Sequence, residues 1–514
     1  MKKSTFIIAF LLVFQMAISQ IHVGPSQTYA TIAAATNANA IGPGDTVYVH
    51  AGVYTTGGWI GNLVGTPSQW ITIRPYLNDS VSIQVETDIS VAKYVKITGL
   101  NFYGNNPATS ASVFHLLFFG TGSTSSTCYM NVHDIIVDNC KFTNLNNTGK
   151  SSSTGANLKI INTARVKVTN CLFKNGTNIT DGISFNGCRD GEVSNCRFEK
   201  LGAGADGSHC KGGAKKITYK RNLFIDCDAC GLDIGGCTGT AFFCPTYSST
   251  SFEADSCEVY SNIFIRGKTP IKLSSAWNTR VYNNTSFKAT TFAFRTLNAS
   301  CNPIYNKTNH IYNNIFTTNS TNGIYMNASA SYTYNTHYFK NNLFHNYKQA
   351  NPTAIGWAEY PGVNVSGTLI GDPKFNDTLN WNFSLLAGSP AIASGTNVST
   401  PTNDYNNSLF NIPARSRGAI EYAGITNINA TNFEDANNVN IYPNPSNGEF
   451  TIGWSGAGTI RTIEVYNILG KLMLQESPTG YNPKVDLSEM GKGAYKIVLR
   501  SNTGSLVSRT VIVE

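Results

Sequence analysis

The sequence predicts an all-β chain: a right-handed parallel β-helix followed by a small β-sandwich. Three observations carry that reading. A phrase with Cys or Asn two residues before Phe recurs seven times, with an eighth, looser copy. Charged residues are only 13% of the chain while Asn, Thr, Ser and Gly crowd it, a bias toward short strands and turns and away from amphipathic helices. Near residue 423 the phrase stops and another alternating pattern takes over.

The chain of 514 residues exceeds what one small core needs, so two or more domains are expected. It opens with Met1, Lys2 and Lys3, an apolar run from Phe6 to Phe14, and Ala17-Ile18-Ser19 before Gln20. A charged start, a short apolar core and a small-x-small site predict a signal peptide over residues 1–19. No later stretch approaches the roughly 20 apolar residues of a membrane-spanning helix, so the mature protein is expected to be soluble and exported.

The repeat runs through Cys140-Lys-Phe142, Cys171-Leu-Phe173, Cys196-Arg-Phe198, Asn222-Leu-Phe224, Asn262-Ile-Phe264, Asn314-Ile-Phe316 and Asn342-Leu-Phe344, with the looser Asn283-Asn284-Thr285 between. Its intervals of 22 to 40 residues are those of a solenoid with inserts of variable length. Stacked coils place the Cys or Asn and the Phe in interior ladders over residues 20–422 and leave edges only at the two ends. A sandwich also has short strands but does not predict one phrase recurring in register. Cys140, Cys171 and Cys196 are therefore stacked interior residues of the repeat. Cys237 and Cys244 flank a loop and could bridge. Cys227-Asp-Ala-Cys230 has redox or metal spacing but no accompanying CxxC or His pair, so it predicts packing or a local disulfide.

The strand after each inserted turn supplies a second register: Leu158-Lys159-Ile160, Ile183-Ser184-Phe185, Ser208-His209-Cys210-Lys211, Leu232-Asp233-Ile234, Ile271-Lys272-Leu273 and Phe294-Arg295-Thr296. Side chains alternate across a strand, so the apolar members point inward. Lys159, Ser184, His209 with Lys211, Asp233, Lys272 and Arg295 then form one outward stripe across six coils. Like charges at such spacing repel, which an anionic ligand relieves, and the net charge of +8 agrees in sign. Export and the lack of interleaved aromatics disfavour nucleic acid, leaving an acidic polysaccharide as the expected partner of a monomeric protein.

Cleaving a uronic-acid polymer by β-elimination needs neutralisation of the carboxylate, a base for the neighbouring C–H proton and an acid for the leaving oxygen. Lys211 is the expected base, His209 an acid or base, and Arg295 a further catalytic cation; Lys159, Ser184, Asp233 and Lys272 are expected to bind substrate. Asp181-Gly182 and Asp206-Gly207 occupy matching places before consecutive strands. Stacked carboxylates would welcome calcium, although Asp-Gly is also good turn chemistry. Two alternatives stand beside the lyase: a glycoside hydrolase using Asp181, Asp206 and Asp233, and a non-catalytic carbohydrate-binding solenoid.

Resemblances sharpen these expectations. Tyr29-Ala-Thr-Ile32 through Gly44-Asp-Thr-Val-Tyr-Val-His-Ala-Gly-Val-Tyr54 resembles the opening coil of the pectate-lyase-like superfamily, and Gly371-Asp-Pro-Lys-Phe375, Ser389-Pro-Ala-Ile392 and Arg417-Gly-Ala-Ile-Glu421 resemble its closing coils. Cys210-Lys211-Gly-Gly-Ala-Lys-Lys-Ile-Thr-Tyr-Lys220-Arg221-Asn222-Leu-Phe224 resembles the stretch around the catalytic lysine of the chondroitinase B and alginate lyase family, which implies Lys211 as Brønsted base. Those enzymes also use an arginine on the next coil, where this chain has Asp233.

Residues 423–437 form a polar linker by composition. Val439-Asn-Ile-Tyr-Pro443-Asn-Pro445-Ser-Asn-Gly448, Ile463-Glu-Val-Tyr-Asn-Ile-Leu-Gly470 and Gly493-Ala-Tyr-Lys-Ile-Val-Leu499 are short alternating strands joined by turn residues, a small sandwich over residues 438–514. They resemble the C-terminal sorting domain of the Bacteroidetes type IX secretion system. That implies the type IX machinery as partner, passage to the cell surface or medium, and removal of the tail.

Overall fold

The computed structural model describes residues 20–514 apart from 105–113, 121–127, 147–154, 178–179, 298–305, 322–325, 329–336, 350–362, 423–438, 456–458, 468–471, 479–481 and 502–505. The expected signal peptide and linker lie outside the described residues. Two compact units share the chain, Met1–Tyr422 and Ala423–Glu514.

The first unit is built from three long parallel sheets, and successive turns of chain deliver one strand to each. One coil reads Ala164–Thr169, Leu172–Gly176, Thr180–Asn186; the next, Arg189–Ser194, Arg197–Glu199, Asp206–Lys211. The first sheet runs from Gln20–Val23 to Val363–Ser366, the second from Gly52–Tyr54 to Leu369–Ile370, the third from Trp59–Ile60 to Met326–Ala328. Among the described residues, helix is confined to Ile32–Asn37, capped by Thr31 Oγ1 accepting from the Ala34 N–H at 3.1 Å, and one 3-10 turn at Thr240–Phe242. No described helix is long and apolar enough to cross a membrane.

Each position of the repeated phrase answers a separate constraint. Its first residue takes the left-handed conformation at the bend between first and second sheets, with φ of 50° at Asn139, 55° at Asn170 and Asn195, 47° at Asn283 and 56° at Asn313; Asn is enriched there because its short amide tolerates positive φ. The second residue faces inward and stacks. The Cys196 N–H donates to Asn222 Oδ1 at 2.9 Å, Asn222 N–H to Asn262 Oδ1 at 2.9 Å, Asn262 N–H to Asn284 Oδ1 at 3.0 Å, Asn284 N–H to Asn314 Oδ1 at 2.9 Å and Asn314 N–H to Asn342 Oδ1 at 3.0 Å. The ladder thus satisfies the backbone donors that the bend takes out of the sheets. The fourth residue is the Phe. From Phe102 through Phe142, Phe173, Phe198 and Phe224 to Phe264, rings stack with centroids 4.5–4.9 Å apart and planes within 8° of parallel.

Cys140, Cys171 and Cys196 are buried free thiols, and Cys227 and Cys230 are free and buried too, so that CxxC is packing rather than a disulfide. The bridge expected between Cys237 and Cys244 is not the one that forms. Cys244 bonds Cys128, 116 residues away, because the insert after Cys237 folds back over the turns of three lower coils. The closing segments also differ from expectation. Residues 386–422 contain no strand; Arg417 and its neighbours run along the stacked bends, where Gly418 N–H donates to the Asn313 carbonyl, Asn283 Nδ2 to the Ser416 carbonyl and Arg417 Nη1 to the Asn342 carbonyl. The bends offer a row of unpaired polar groups on their outer side, and an irregular polar segment satisfies these better than another coil.

The second unit has two antiparallel sheets. Val439–Tyr442, Glu449–Trp454 and Lys484–Asp486 form one; Ile460–Asn467, Leu472–Glu476, Gly493–Ser501 and Leu506–Val513 form the other. Alternate residues such as Phe450, Ile452, Ile463, Val465, Ile497 and Leu499 supply its core.

Candidate functional site

The third sheet carries the chemistry, and its glycines decide how. A Cβ on Gly182 would lie 2.6 Å from the Phe198 ring and 2.3 Å from the Gly207 carbonyl; one on Gly207 would lie 2.5 Å from the Phe224 ring, and one on Gly231 2.4 Å from Phe264. The Phe ladder leaves no room for a side chain at this corner. None of the three has positive φ, so the Asp-Gly pairs are not turn signals. The glycine sits in the crowded corner, and the preceding Asp181 and Asp206 stand at the outer edge of the strands.

The strand register places Lys159, Ser184, His209, Asp233, Lys272 and Arg295 in one row, each opposite the next. Ile161, Asn186 and Lys211 form the neighbouring row. Asp206 follows Asp181, its N–H donating to Asp181 Oδ1 at 2.8 Å. The row is not a uniform exposed stripe of cations, because its members pair with one another. Lys272 Nζ lies 2.6 Å from Asp233 Oδ2, and Ser274 donates to Asp233 Oδ1 at 3.0 Å. Ser184 and His209 are each only 3% exposed. Ser184 Oγ is 2.8 Å from His209 Nε2, and His209 Nδ1 faces two carboxylates, 3.2 Å from Asp181 and 4.0 Å from Asp206. Arg295 lies over the Phe292 ring at 5.2 Å. Its place three coils past His209 puts it roughly 14 Å along the sheet, so the structure does not bring it to Lys211.

Lys159 and Lys211 are different. Neither amino group enters an ion pair or hydrogen bond among the described residues. Burial, and then repulsion from Lys211, holds the Lys159 ammonium below the ordinary lysine range. Burial and Lys211 likewise lower His209. Burial, with Asp181 next to it, pushes the Asp206 carboxyl well above the usual carboxylate range. Around them, Asp88 Oδ1, His115 Nδ1, Asp181 Oδ2, Asn186 Oδ1 and Asp206 Oδ1 are buried without a hydrogen-bond partner. Native interiors rarely leave such atoms unpaired, and several together mark a place built for a ligand.

Glu86, Asp88 and His115 were not legible in the sequence. Asp88 continues the row through Phe118 to Lys159; burial and then Glu86 raise its carboxyl to about 6. Burial and then Lys159 lower His115 to about 3. Their coils lack the repeated phrase, so nothing in the sequence extended the register to them. The insert from Cys237 to Asp255 packs on the turn that follows Lys211: Gly212 N–H donates to Glu253 Oε2 at 2.8 Å and Cys244 N–H to the Gly212 carbonyl at 3.0 Å.

Among the described residues, Asp181, Asp206 and His209 bring donor atoms within 4.8 Å of one another, as a metal site requires. Two carboxylates suit calcium. The third donor, an imidazole nitrogen, does not, because calcium selects oxygen. The raised Asp206 carboxyl sets a pH response of stability. A carboxyl raised on folding keeps its proton where the unfolded chain has lost it, so its stabilisation is full below the unfolded value near 4 and is lost as pH rises above that. Asp206→Asn is expected to raise Tm relative to the parent at pH 8, with the advantage shrinking toward pH 4, as read by differential scanning calorimetry.

Residues 440–514 match the family described as secretion system C-terminal sorting domain. The second unit is thus a type IX sorting signal, and the protein is secreted or held at the cell surface. A comparison with curated proteins gives no match. Among solved structures, the chain is similar to pectate lyase Pel9A, at 13% identity and a TM-score of 0.48, over 79% of this chain and 98% of that one. It is also similar to a mannuronic acid specific polysaccharide family 6 lyase from human gut microbiota, at 12% identity and a TM-score of 0.43, over 69% and 87%. A family 28 exopolygalacturonase of Yersinia enterocolitica matches at 12% identity and a TM-score of 0.41, over 70% and 77%. The likeness is one of fold alone.

Proposed function

We propose that this protein binds and cleaves an acidic, uronic-acid-containing polysaccharide outside the cell by β-elimination. The observation that carries the reading is the pair of unpartnered amino groups, Lys159 and Lys211, on adjacent rows of the third sheet amid buried polar atoms that lack partners. A uronate carboxylate seated between them relieves their repulsion and, once neutralised, acidifies its neighbouring C–H.

The two lysines divide the work. A base must be a free amine, and burial with Lys211 beside it holds the Lys159 ammonium below the ordinary lysine range; Lys211, expected from the sequence as the base, is then the cation placed to neutralise the carboxylate. His209, bonded to Ser184 and facing Asp181 and Asp206, is not needed as the base of the elimination. The Lys272–Asp233 pair and Arg295 extend the binding face along the coils. Calcium at Asp181 and Asp206 is not needed for this chemistry, since the lysines supply the positive charge. Glycoside hydrolysis needs two carboxyl groups facing the sugar; here Asp233 is engaged by Lys272 and Asp181 is 2% exposed.

The test is to incubate the purified protein with alginate, pectate, chondroitin sulfate and dermatan sulfate, with and without a chelator, and follow ultraviolet absorbance of the unsaturated uronate. Absorbance is expected to rise on at least one polymer at the same rate in both conditions. Silence on all four, with reducing ends released from a neutral glycan, sinks the proposal. A rise abolished by chelator and restored by calcium returns the neutralising role to Asp181 and Asp206.

A further inference from the structure

We infer that Ser184 is the nucleophile of a second chemistry at this site, hydrolysis of a short-chain acyl ester carried on a sugar hydroxyl of the anionic glycan. The inference rests on the glycan-binding part of the reading above and not on elimination.

Ser184, His209 and Asp181 stand in the order that acyl-transfer hydrolases require: hydroxyl to imidazole at 2.8 Å, the other imidazole nitrogen to a carboxylate at 3.2 Å. Such a constellation is recognised by geometry and roles, whatever the fold or chain order. The proton positions follow from the neighbours. Nδ1 faces Asp181 and Asp206, and an ionised carboxylate only accepts, so the ring proton belongs on Nδ1. Nε2 is then an acceptor, and Ser184 Oγ–H donates to it, which is the arrangement that raises the nucleophilicity of a hydroxyl. Asp181 Oδ2 accepts no hydrogen bond of regular geometry and so is available to hold the ring as it becomes imidazolium; catalytic contacts of this kind tighten when substrate binds.

In the first step Ser184 Oγ bonds to the ester carbonyl carbon, its proton passes to His209 Nε2, and the carbonyl π pair moves onto oxygen. The C–O bond to the sugar then breaks, and the sugar oxygen takes the proton from Nε2. Water, activated by the same nitrogen, repeats the sequence to release the acid and restore the serine. Lys159 is the register partner of Ser184, and Lys211 flanks it on the neighbouring row; their amino groups supply N–H donors to the oxyanion. Ser184 is only 3% exposed, so the smallest acyl groups are the ones expected to reach it.

The experiment uses the full chain, 4-nitrophenyl acetate, an O-acetylated polyuronate and phenylmethanesulfonyl fluoride. Acetate release is expected from both esters, with sulfonylation located on Ser184 by peptide mass spectrometry and release lost to the buffer rate in Ser184→Ala. The labelling needs no variant, so it stands even if a substitution disturbs folding. Absence of acetate release together with an unlabelled Ser184 overturns the inference, as does undiminished release by Ser184→Ala. Acetate released without ultraviolet absorbance supports it while removing the elimination reading; absorbance with no acetate from either ester leaves elimination standing and overturns it.

Discussion

Lys159→Ala is expected to lower kcat for uronate elimination by about 10²–10⁴-fold, the range in which a positioned proton acceptor contributes. The expectation rests on Lys159 being partly buried beside Lys211, which together hold its ammonium below the ordinary lysine range. Lys211→Ala is expected to act differently. Removing its charge lets the Lys159 proton bind more tightly, and since the base must be free, the acidic limb of the pH–rate profile moves to higher pH; KM also rises as the carboxylate loses its partner. Steady-state kinetics across pH 6–10 separate the two. If Lys159→Ala keeps full kcat while Lys211→Ala abolishes it at every pH, the roles are reversed and Lys211 is the base.

Asn284→Ala is expected to cost about 3 kcal/mol or more, read from urea unfolding midpoints. Asn284 Oδ1 accepts from both the Asn262 N–H and Asn262 Nδ2, and Asn284 Nδ2 donates to the carbonyls of Val259 and Tyr282 and to Asn314 Oδ1. Alanine leaves the buried Asn262 N–H without its acceptor and takes a donor from the Val259 carbonyl and from the Tyr282 carbonyl, which keeps the Ser261 N–H at 3.4 Å; a stranded buried group costs roughly 1–3 kcal/mol. Cys171→Ala is the control within the same ladder. Its thiol accepts only weakly, from the Cys140 N–H at 3.5 Å, and it packs mainly as a small apolar group. Its loss is expected to be smaller than that of Asn284. Equal losses would show that the ladder is held by packing and not by its amide bonds.

The coil architecture was legible because the repeated phrase carries four unlike demands in a fixed order: a left-handed bend at Asn139 or Asn170, an inward hydrogen-bonding residue, an outward position, and Phe in the stack. A chance pattern does not meet all four repeatedly. The row from Lys159 to Arg295 was legible for a related reason, since the strands at Lys159, Ser184, Asp233 and Lys272 have apolar residues on both sides of the outward position and the pleat allows one assignment. What escaped were pairings between rows and across the chain. Asp181 was open to two readings, calcium ligand or turn residue, because sequence alone cannot show that the glycine after it faces Phe198. Glu86 and Asp88 escaped because their coil lacks the phrase.

By itself, then, the sequence determined the stacking repeat, the outward row and the sorting tail, all local or periodic properties that a chain displays in its own order. Only the tertiary structure decided that Lys272 is neutralised by Asp233, that His209 is sealed between Ser184 and two carboxylates, and that Lys159 and Lys211 remain unpartnered. It also decided that Cys244 bonds Cys128. Those outcomes depend on which side chains meet across coils 25 to 116 residues apart and on how much water their burial excludes, and both are set by packing rather than by order along the chain.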